Sequence, residues 1–448
     1  MSRYITHGML IDGSGAPPQP LQWLRMDEGR IAEVRLVDDA AAPVPLPADA
    51  DIAFDATGLT VMPGLIDAHC HLSYGEARSI EEQDLYGSAE YRALRAGWHA
   101  GKVLRSGVTS VSDPGGSWNV AVAVRDAIRA GIVDGPRMSA AGKYLTTQTG
   151  LADYFPSWVG TPPSGVGALT HDVSQMLTEV RRQVKNGVDF VKVAASGESS
   201  TLTPGGGSVP AFRSEELKVI VDEAHRHGRR AAAHARSGVA VVDCIDAGMD
   251  WIMHGDYMTQ AQCDRLAASG IPLCPTLTFM ANIADYGHLV GCSAGRIERI
   301  RHTFETAIKV LRHAYRNGVT LITGTDSGFS ITPFGQWHAR ELEIFVEHIG
   351  MTPLEAITCA TRNAGFTVDP GQVGVLAPGM WADILVIDGD PARDIRVLQE
   401  QHRVRAIFKA ARAVDLHPAR DAIERWPWER VMTVSATELH WHSVRGTQ

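Results

Sequence analysis

The sequence predicts an α/β protein: a (β/α)8 TIM-like barrel plus a small β-sandwich domain built from both chain ends. Three observations carry this. Between residues 59 and 371, eight short apolar runs alternate with helical segments. Parallel strands need crossover connections, so that alternation demands a parallel sheet, and eight units suit a closed barrel. Residues 1–58 and 372–448 carry β-like runs instead, so the two chain ends can close into one small sheet unit. Polar residues fall at the C-terminal ends of several apolar runs, where a barrel gathers its functional side chains. An open doubly wound sheet is the alternative, and the lack of a GxGxxG after the first run lowers it.

Taken in order, residues 1–58 read as short strands, YITHGMLIDG, LQWLRMDEGRIAEVRLV and DIAFDATG, around an Ala/Pro-rich loop at 40–50. The pairs DG at 12–13 and EG at 28–29 suit hairpin turns. The eight barrel strands are TVMPGLIDAHCH, GVTSVSD (107–113), GPRMSAAG (135–142), DFVKVAAS (189–196), RRAAAHA (229–235), WIMHG (251–255), PLCPTL (272–277) and TLITGTDS (320–327). Helical stretches such as NVAVAVRDAIRAG, HDVSQMLTEVRRQVKNG, SEELKVIVDEAHRHG and RIRHTFETAIKVLRHAYRNG lie between them, and several end in the glycine that a helix C-terminus favours. Ser214 reads as an N-cap, with Glu215 and Glu216 suited to the positive helix end. TPLEAITCATRNAG (352–365) reads as helix. The segments 374–394 and 404–415 return to β-like runs, and 416–448, with ERWPWERV and LHWHSV, reads as a C-terminal extension.

Composition narrows the function. Hydrophobic residues make up 44% and charged residues 21% of the 448, the balance of a globular protein. A net charge of −9 without a Lys/Arg block argues against nucleic acid or an anionic membrane as partner. The opening residues lack a basic segment followed by an apolar one, and no uncharged apolar run reaches about 18 residues, so neither signal peptide nor membrane helix is expected. Six scattered cysteines without CxxC spacing read as reduced core thiols of a cytoplasmic protein.

The chemistry sits at the strand ends. In IDAHCHLSYGE (66–76), His69 and His71 are two apart, so on a strand they share a face while Cys70 takes the other. Such a pair either caps a sheet edge or holds a metal. The fourth strand carries Lys192, the fifth His234, the sixth His254 and the eighth Asp326. Each of these alone can be an inert, hydrogen-bonded core residue or a loop cap. Lysine in an apolar strand is the exception, since it is almost never buried without a partner. Six such residues at one end of their strands point jointly to metal. Asp113 ends the second strand and is given no metal role.

PGLIDAHCHL, DFVKVAASG, AAAHARSG, MHGDYM, TGTDSG and ATRNAG…GVLAPGMWADILVID together resemble the amidohydrolase superfamily, in its binuclear prolidase-like or imidazolonepropionase-like branch. The resemblance runs from the opening β unit to about residue 395. It implies that His69, His71 and Asp326 bind the more buried divalent ion and that His234 and His254 bind the more exposed one. Lys192, carboxylated by CO2, would bridge both. The physical logic agrees: burial lowers a lysine pKa, a neutral amine traps CO2, and the carbamate offsets cationic charge. Imidazole and carboxylate suit Zn, with Mn, Co or Ni also served. The implied activity is hydrolysis of a C–N bond in an amide-like small molecule: an N-acyl amino acid, a dipeptide, or an aryl amide, carbamate or urea. The two ions would share a hydroxide, with Asp326 as general base and then acid. The alternatives are a mononuclear deaminase or cyclic-amidine hydrolase, for which the bridging lysine is superfluous, and a non-catalytic scaffold, which typically loses ligands.

Substrate choice is expected from three long loops, 143–165, 197–212 and 278–295. In many relatives the first carries a GGH-like stretch; TTQTGLAD here has no histidine. Tyr144, Tyr154, Phe155, Trp158, Phe212 and Phe279 either build an apolar pocket or anchor these loops. Arg236 meets a substrate carboxylate or serves the structure, and Tyr257 is a candidate donor to an oxyanion. The glycines at 205–207 read as a flexible loop, since no Lys-Ser/Thr of a P-loop follows. HWH at 440–442 has no neighbouring ligands and is not read as a metal site. Self-association is also expected, from the tryptophan-bearing segments and the extension.

Overall fold

A computed structural model describes residues 2–38, 43–198, 206–418, 434–435 and 437–445. Seven parallel strands form the centre. Leu65–Asp67, Val108–Asp113 and Arg137–Ala140 are successive neighbours, as are Phe190–Ala194, Arg230–Ser237, Trp251–Tyr257 and Leu273–Cys274. Backbone hydrogen bonds join the two groups. Asp189 N–H donates to the Ala140 carbonyl at 2.8 Å. Segment 320–327 lies between the last strand and the first: Ile322 N–H donates to Leu273 O at 3.0 Å, and Ala68 N–H donates to Thr323 O at 3.0 Å. The result is a curled parallel sheet with helices packed against it. The expected eighth strand, 320–327, makes isolated bridges at Leu321 and Ser327 instead of a ladder.

The expected first strand, TVMPGLIDAHCH, divides at Gly64. Thr60–Pro63 pairs antiparallel with Ile384–Ile387, and Leu65–Asp67 enters the curled sheet. Pro63 has no N–H to continue a ladder. A Cβ on Gly64 would lie 2.1 Å from Thr109 Oγ1, so the chain crosses between sheets where only glycine fits.

Both chain ends supply the second sheet. Arg3–Thr6, Met9–Leu10, Gln19–Asp27, Asp51–Asp55 and Thr60–Pro63 join Ile384–Ile387, Val404–Lys409 and Arg412–Ala413 in one hydrogen-bonded path, not two separate sheets, and Arg30–Leu36 pairs with Gln19–Asp27 off that path. Ile5, Leu24, Val61, Ile384 and Phe408 form its core. Glu28 and Gly29 have φ of 49° and 84° between paired Asp27 and Arg30, the two-residue turn expected of EG. The DG at 12–13 lies in a longer connection between Met9–Leu10 and Gln19–Asp27.

Three local expectations are corrected. The helix starting at Ser214 is capped by Arg213, whose N–H donates to Glu216 at 2.8 Å; Ser214 is already the first helical residue. The 143–165 loop begins with a strand, Tyr144–Thr146, paired to Gly167–Leu169 and at Leu145 to Val193. The 278–295 loop contains the helix Thr278–Tyr286, whose first N–H groups, on Leu277 and Thr278, donate to the buried Glu341 carboxylate at 2.9 and 2.8 Å. All six cysteines are free thiols, five of them buried. Among the described residues no helix is long and apolar enough to cross a membrane. ERWPWERV and positions 199–205 lie outside the described residues.

Candidate metal centre

Strand alternation aims two of the candidate side chains and fails for a third. Phe190 packs in the inner apolar cluster while Val191 and Val193 pack toward the helices, so Lys192 points inward. Ala232 is inner and Ala231 and Ala233 are outer, which turns His234 inward as well. Trp251 and Met253 are inner and Ile252 outer, so a regular strand would turn His254 away. It enters the cavity because its backbone is left-handed, at φ 79°. Asp326 is also left-handed, at φ 55°. Non-glycine residues adopt this region at a cost and concentrate in it at functional sites.

The six residues line one cavity. His69 Nε2 is 3.0 Å from His71 Nε2, and the two lie 3.4 and 3.3 Å from Asp326 Oδ1. These three ligand atoms sit within 4.8 Å of one another and can hold a cation. The rings of His234 and His254 are 4.5 Å apart between centroids, and His254 is 5.3 Å from His69. Lys192 is 1% exposed, its Nζ against Met253 Sδ and 6.0 Å from the centre of the Tyr144 ring.

Hydrogen bonds select which imidazole nitrogens carry protons. His71 Nδ1 donates to Gly115 O at 2.8 Å, which leaves the lone pair on Nε2. His234 Nε2 donates to Gly197 O at 3.1 Å, leaving Nδ1 free. Thr276 gives its own proton to Pro275 O at 2.7 Å and so accepts from His254 Nδ1, leaving Nε2 free. The bare Nε2 of His71 faces His69 and a carboxylate at contact distance. Only a cation or a shared proton reconciles that arrangement, so the donor set fits a divalent ion.

The protonation states point the same way. Burial holds His69 and His254 well below the ordinary imidazole range, and burial assisted by Arg236 pushes His234 down to about 3. Burial pushes the Lys192 amine down to about 7, so it is substantially neutral near physiological pH. Burial alone would raise Asp326, but the nearby imidazoles and Arg236 outweigh it and keep the carboxylate ionised.

The amidohydrolase family model matches residues 60–414, most of the chain. This protein belongs to the amidohydrolase family. It is 30% identical over 377 residues to the ochratoxinase of Aspergillus niger, covering 79% of this chain and 75% of that protein. The crystal structure of a Xaa-Pro dipeptidase with bound methionine superposes with a TM-score of 0.79 at 26% identity, covering 92% of this chain and 99% of the other. Phenylurea hydrolase B, at 24% identity and a TM-score of 0.74 over 93% of this chain and 97% of its own, shares the fold.

Residues to which the sequence reading gave no metal role hold the candidate amidohydrolase ligands in place. Asp67 Oδ1 accepts from the His69 and Thr325 N–H groups at 3.0 and 3.1 Å, and its Oδ2 accepts from His338 Nδ1 at 2.7 Å. It therefore ties the first strand to the eighth segment. Asp113 accepts from the Leu72 and Gly115 N–H groups at 3.1 and 3.0 Å, and so positions the carbonyl that orients His71; burial raises its carboxyl to about 6. Gly324 is a close-approach glycine, since a Cβ there would lie 2.5 Å from Cys274 Sγ and 2.6 Å from His69 Cβ. Asp67 does fall inside the quoted PGLIDAHCHL, but nothing local marks His338 as its partner 271 positions away.

The expected substrate contacts divide. Tyr144 is buried in the cavity, its hydroxyl bonded to that of Tyr74 and 3.1 Å from His71 Nδ1. Arg236 lines the cavity but is engaged by Glu198 and by the buried Asp256. Tyr257 is 37% exposed, lies outside the cavity lining, and has its hydroxyl 3.5 Å from Thr303. Tyr154 and Phe279 line the cavity, Phe212 belongs to the main apolar core, and Trp158 is 86% exposed. In HWH, His440 bonds Gln336 at 2.7 Å and Trp441 packs against Trp337.

Proposed function

We propose that this amidohydrolase is a binuclear metal-dependent hydrolase of a C–N bond in a small amide-like substrate. The reading takes the curled sheet as a (β/α)8 barrel over 59–371, with residues 1–58 and 372–448 forming the smaller unit. The observation that carries it is the convergence of His69, His71, Lys192, His234, His254 and Asp326 on one buried cavity. His69, His71 and Asp326 would hold one ion and His234 and His254 the other, with Lys192 as a carbamate between them. Zn suits these donors, and Mn, Co or Ni are the alternatives. When bound, the ions supply a hydroxide near neutral pH and polarise the scissile carbonyl. Asp326 takes a proton from the nucleophile and returns it to the leaving nitrogen, a role open to a carboxylate kept ionised by its surroundings. Tyr144 and the hydrogen-bonded imidazoles hold their orientations and exclude water from the inner end of the cavity. Relatives named for dipeptides and ochratoxin support an amide-type bond.

The test is elemental analysis together with a turnover panel of N-acyl amino acids, dipeptides, and aryl amides, carbamates and ureas. Two ions per chain, activity lost on chelation and restored by Zn or Mn, and a carbamate carbon signal after labelling with 13C-bicarbonate are expected. One ion per chain with an unmodified Lys192 would overturn the binuclear reading.

A further inference from the structure

We infer that Arg296 anchors a substrate carboxylate, so that the cavity takes an N-acyl or peptidyl amino acid with a free carboxylate and an apolar side chain. The inference rests on the hydrolase reading and names its substrate class. Two arginines line the cavity and differ in their partners. Arg236 is neutralised by Glu198 and Asp256. Arg296 reaches the cavity from the first turn of the Ala294–Arg316 helix, and its buried Nε has no hydrogen-bond partner. No carboxylate among the described residues pairs with its guanidinium. The Ser293 hydroxyl caps the Arg296 backbone N–H at 3.3 Å, so the side chain is not used in capping. A buried guanidinium nitrogen without an acceptor is costly, and a cation at the positive end of a helix is disfavoured. Both penalties vanish when a carboxylate binds, for which the guanidinium fork is the matching donor. The apolar specificity comes from an aromatic row that starts at a candidate ligand. His71 stacks on Tyr74 at 4.3 Å, Tyr74 meets Phe329 at 5.1 Å, and Phe329 meets Phe279 at 5.2 Å between ring centroids. Phe279 sits on the helix that packs against the one carrying Arg296. Val434, from the C-terminal segment, and Ile80 complete this wall.

The experiment titrates metal-loaded full-length chain calorimetrically with N-acetyl-L-leucine and with its carboxamide, in the wild type, Arg296→Gln and Arg296→Lys, and measures hydrolysis of the same pair. The acid should bind more tightly than the amide. Arg296→Gln should weaken acid binding roughly tenfold to hundredfold and leave the amide unchanged, with Arg296→Lys between. An acid-to-amide ratio equal in wild type and Arg296→Gln overturns the inference, as does failure of the acid to bind. Turnover of both compounds with that equal ratio would leave the hydrolase reading standing. The expected binding pattern without turnover of either compound would retain Arg296 as anchor, and the hydrolase reading would fall only if the wider substrate panel also showed no turnover.

Discussion

The two halves of the cavity use the same imidazoles under opposite electrostatics. On one side His69 and His71 face the ionised Asp326, and the three ligand atoms are already gathered. On the other, His234 and His254 share their surroundings with Lys192 and with Arg236, and both imidazoles are held neutral by burial. The first half has three ligand atoms gathered where they could hold a cation. The second offers neutral nitrogens, and the Arg236 charge beside them is already answered by Glu198 and Asp256, so a dication held there would call for an added anion. Under the proposed binuclear reading, conversion of the neutral Lys192 amine into a carbamate would supply that anion, which would account for a lysine rather than a third histidine on the fourth strand.

The largest effect that would break this contrast is at the anionic half. Asp326→Asn keeps the shape and removes the charge and the proton acceptor, and turnover should fall by about 10³–10⁴-fold. Retention of near wild-type kcat would reject the role of the carboxylate. Next, Lys192→Met removes only the source of the added anion. Ion content should fall from two per chain to one by elemental analysis, with turnover down about a hundredfold or more; two ions in that variant would mean the second half needs no carbamate. Thr276→Val then deletes the acceptor that fixes the His254 tautomer. It should weaken the second ion by ~10–100-fold without weakening the first, as expected for a partner behind a ligand. The smallest effect sharpens the contrast through pH. Because burial places the Lys192 amine at about 7, below that pH it is an ammonium that neither traps CO2 nor tolerates a cation. Loading of the second ion from bicarbonate should therefore rise roughly tenfold between pH 6 and 8, following the neutral fraction. Loading that falls with pH over this window would have the wrong sign for a lysine carbamate.

Legibility followed the range of the interactions. His69 and His71 could be paired from spacing, and Lys192 and His234 could be aimed from strand alternation, because both rest on the backbone period of two. His254 was legible by position but not by direction, since alternation points it outward and only a left-handed backbone turns it in. Asp326 has the same left-handed backbone, although its parity with the inner Ile322 already points it inward. The Asp67–His338 pair, the Glu341 carboxylate that starts the Thr278–Tyr286 helix, and the division of the first strand at Gly64 were not legible. Each is set by a partner far along the chain. Arg236 drew the carboxylate role on proximity to His234, whereas Glu198 and Asp256 already occupy it.

The order of strands and helices, the apolar faces that pack them and the presence of six ligand-type side chains at strand ends were determined by the sequence itself, because these follow from periodicity and local backbone geometry. Which charges remain unanswered was decided by tertiary structure alone. Arg236 and Arg296 are chemically the same residue, and only the folded chain places two carboxylates against one and none of its described carboxylates against the other.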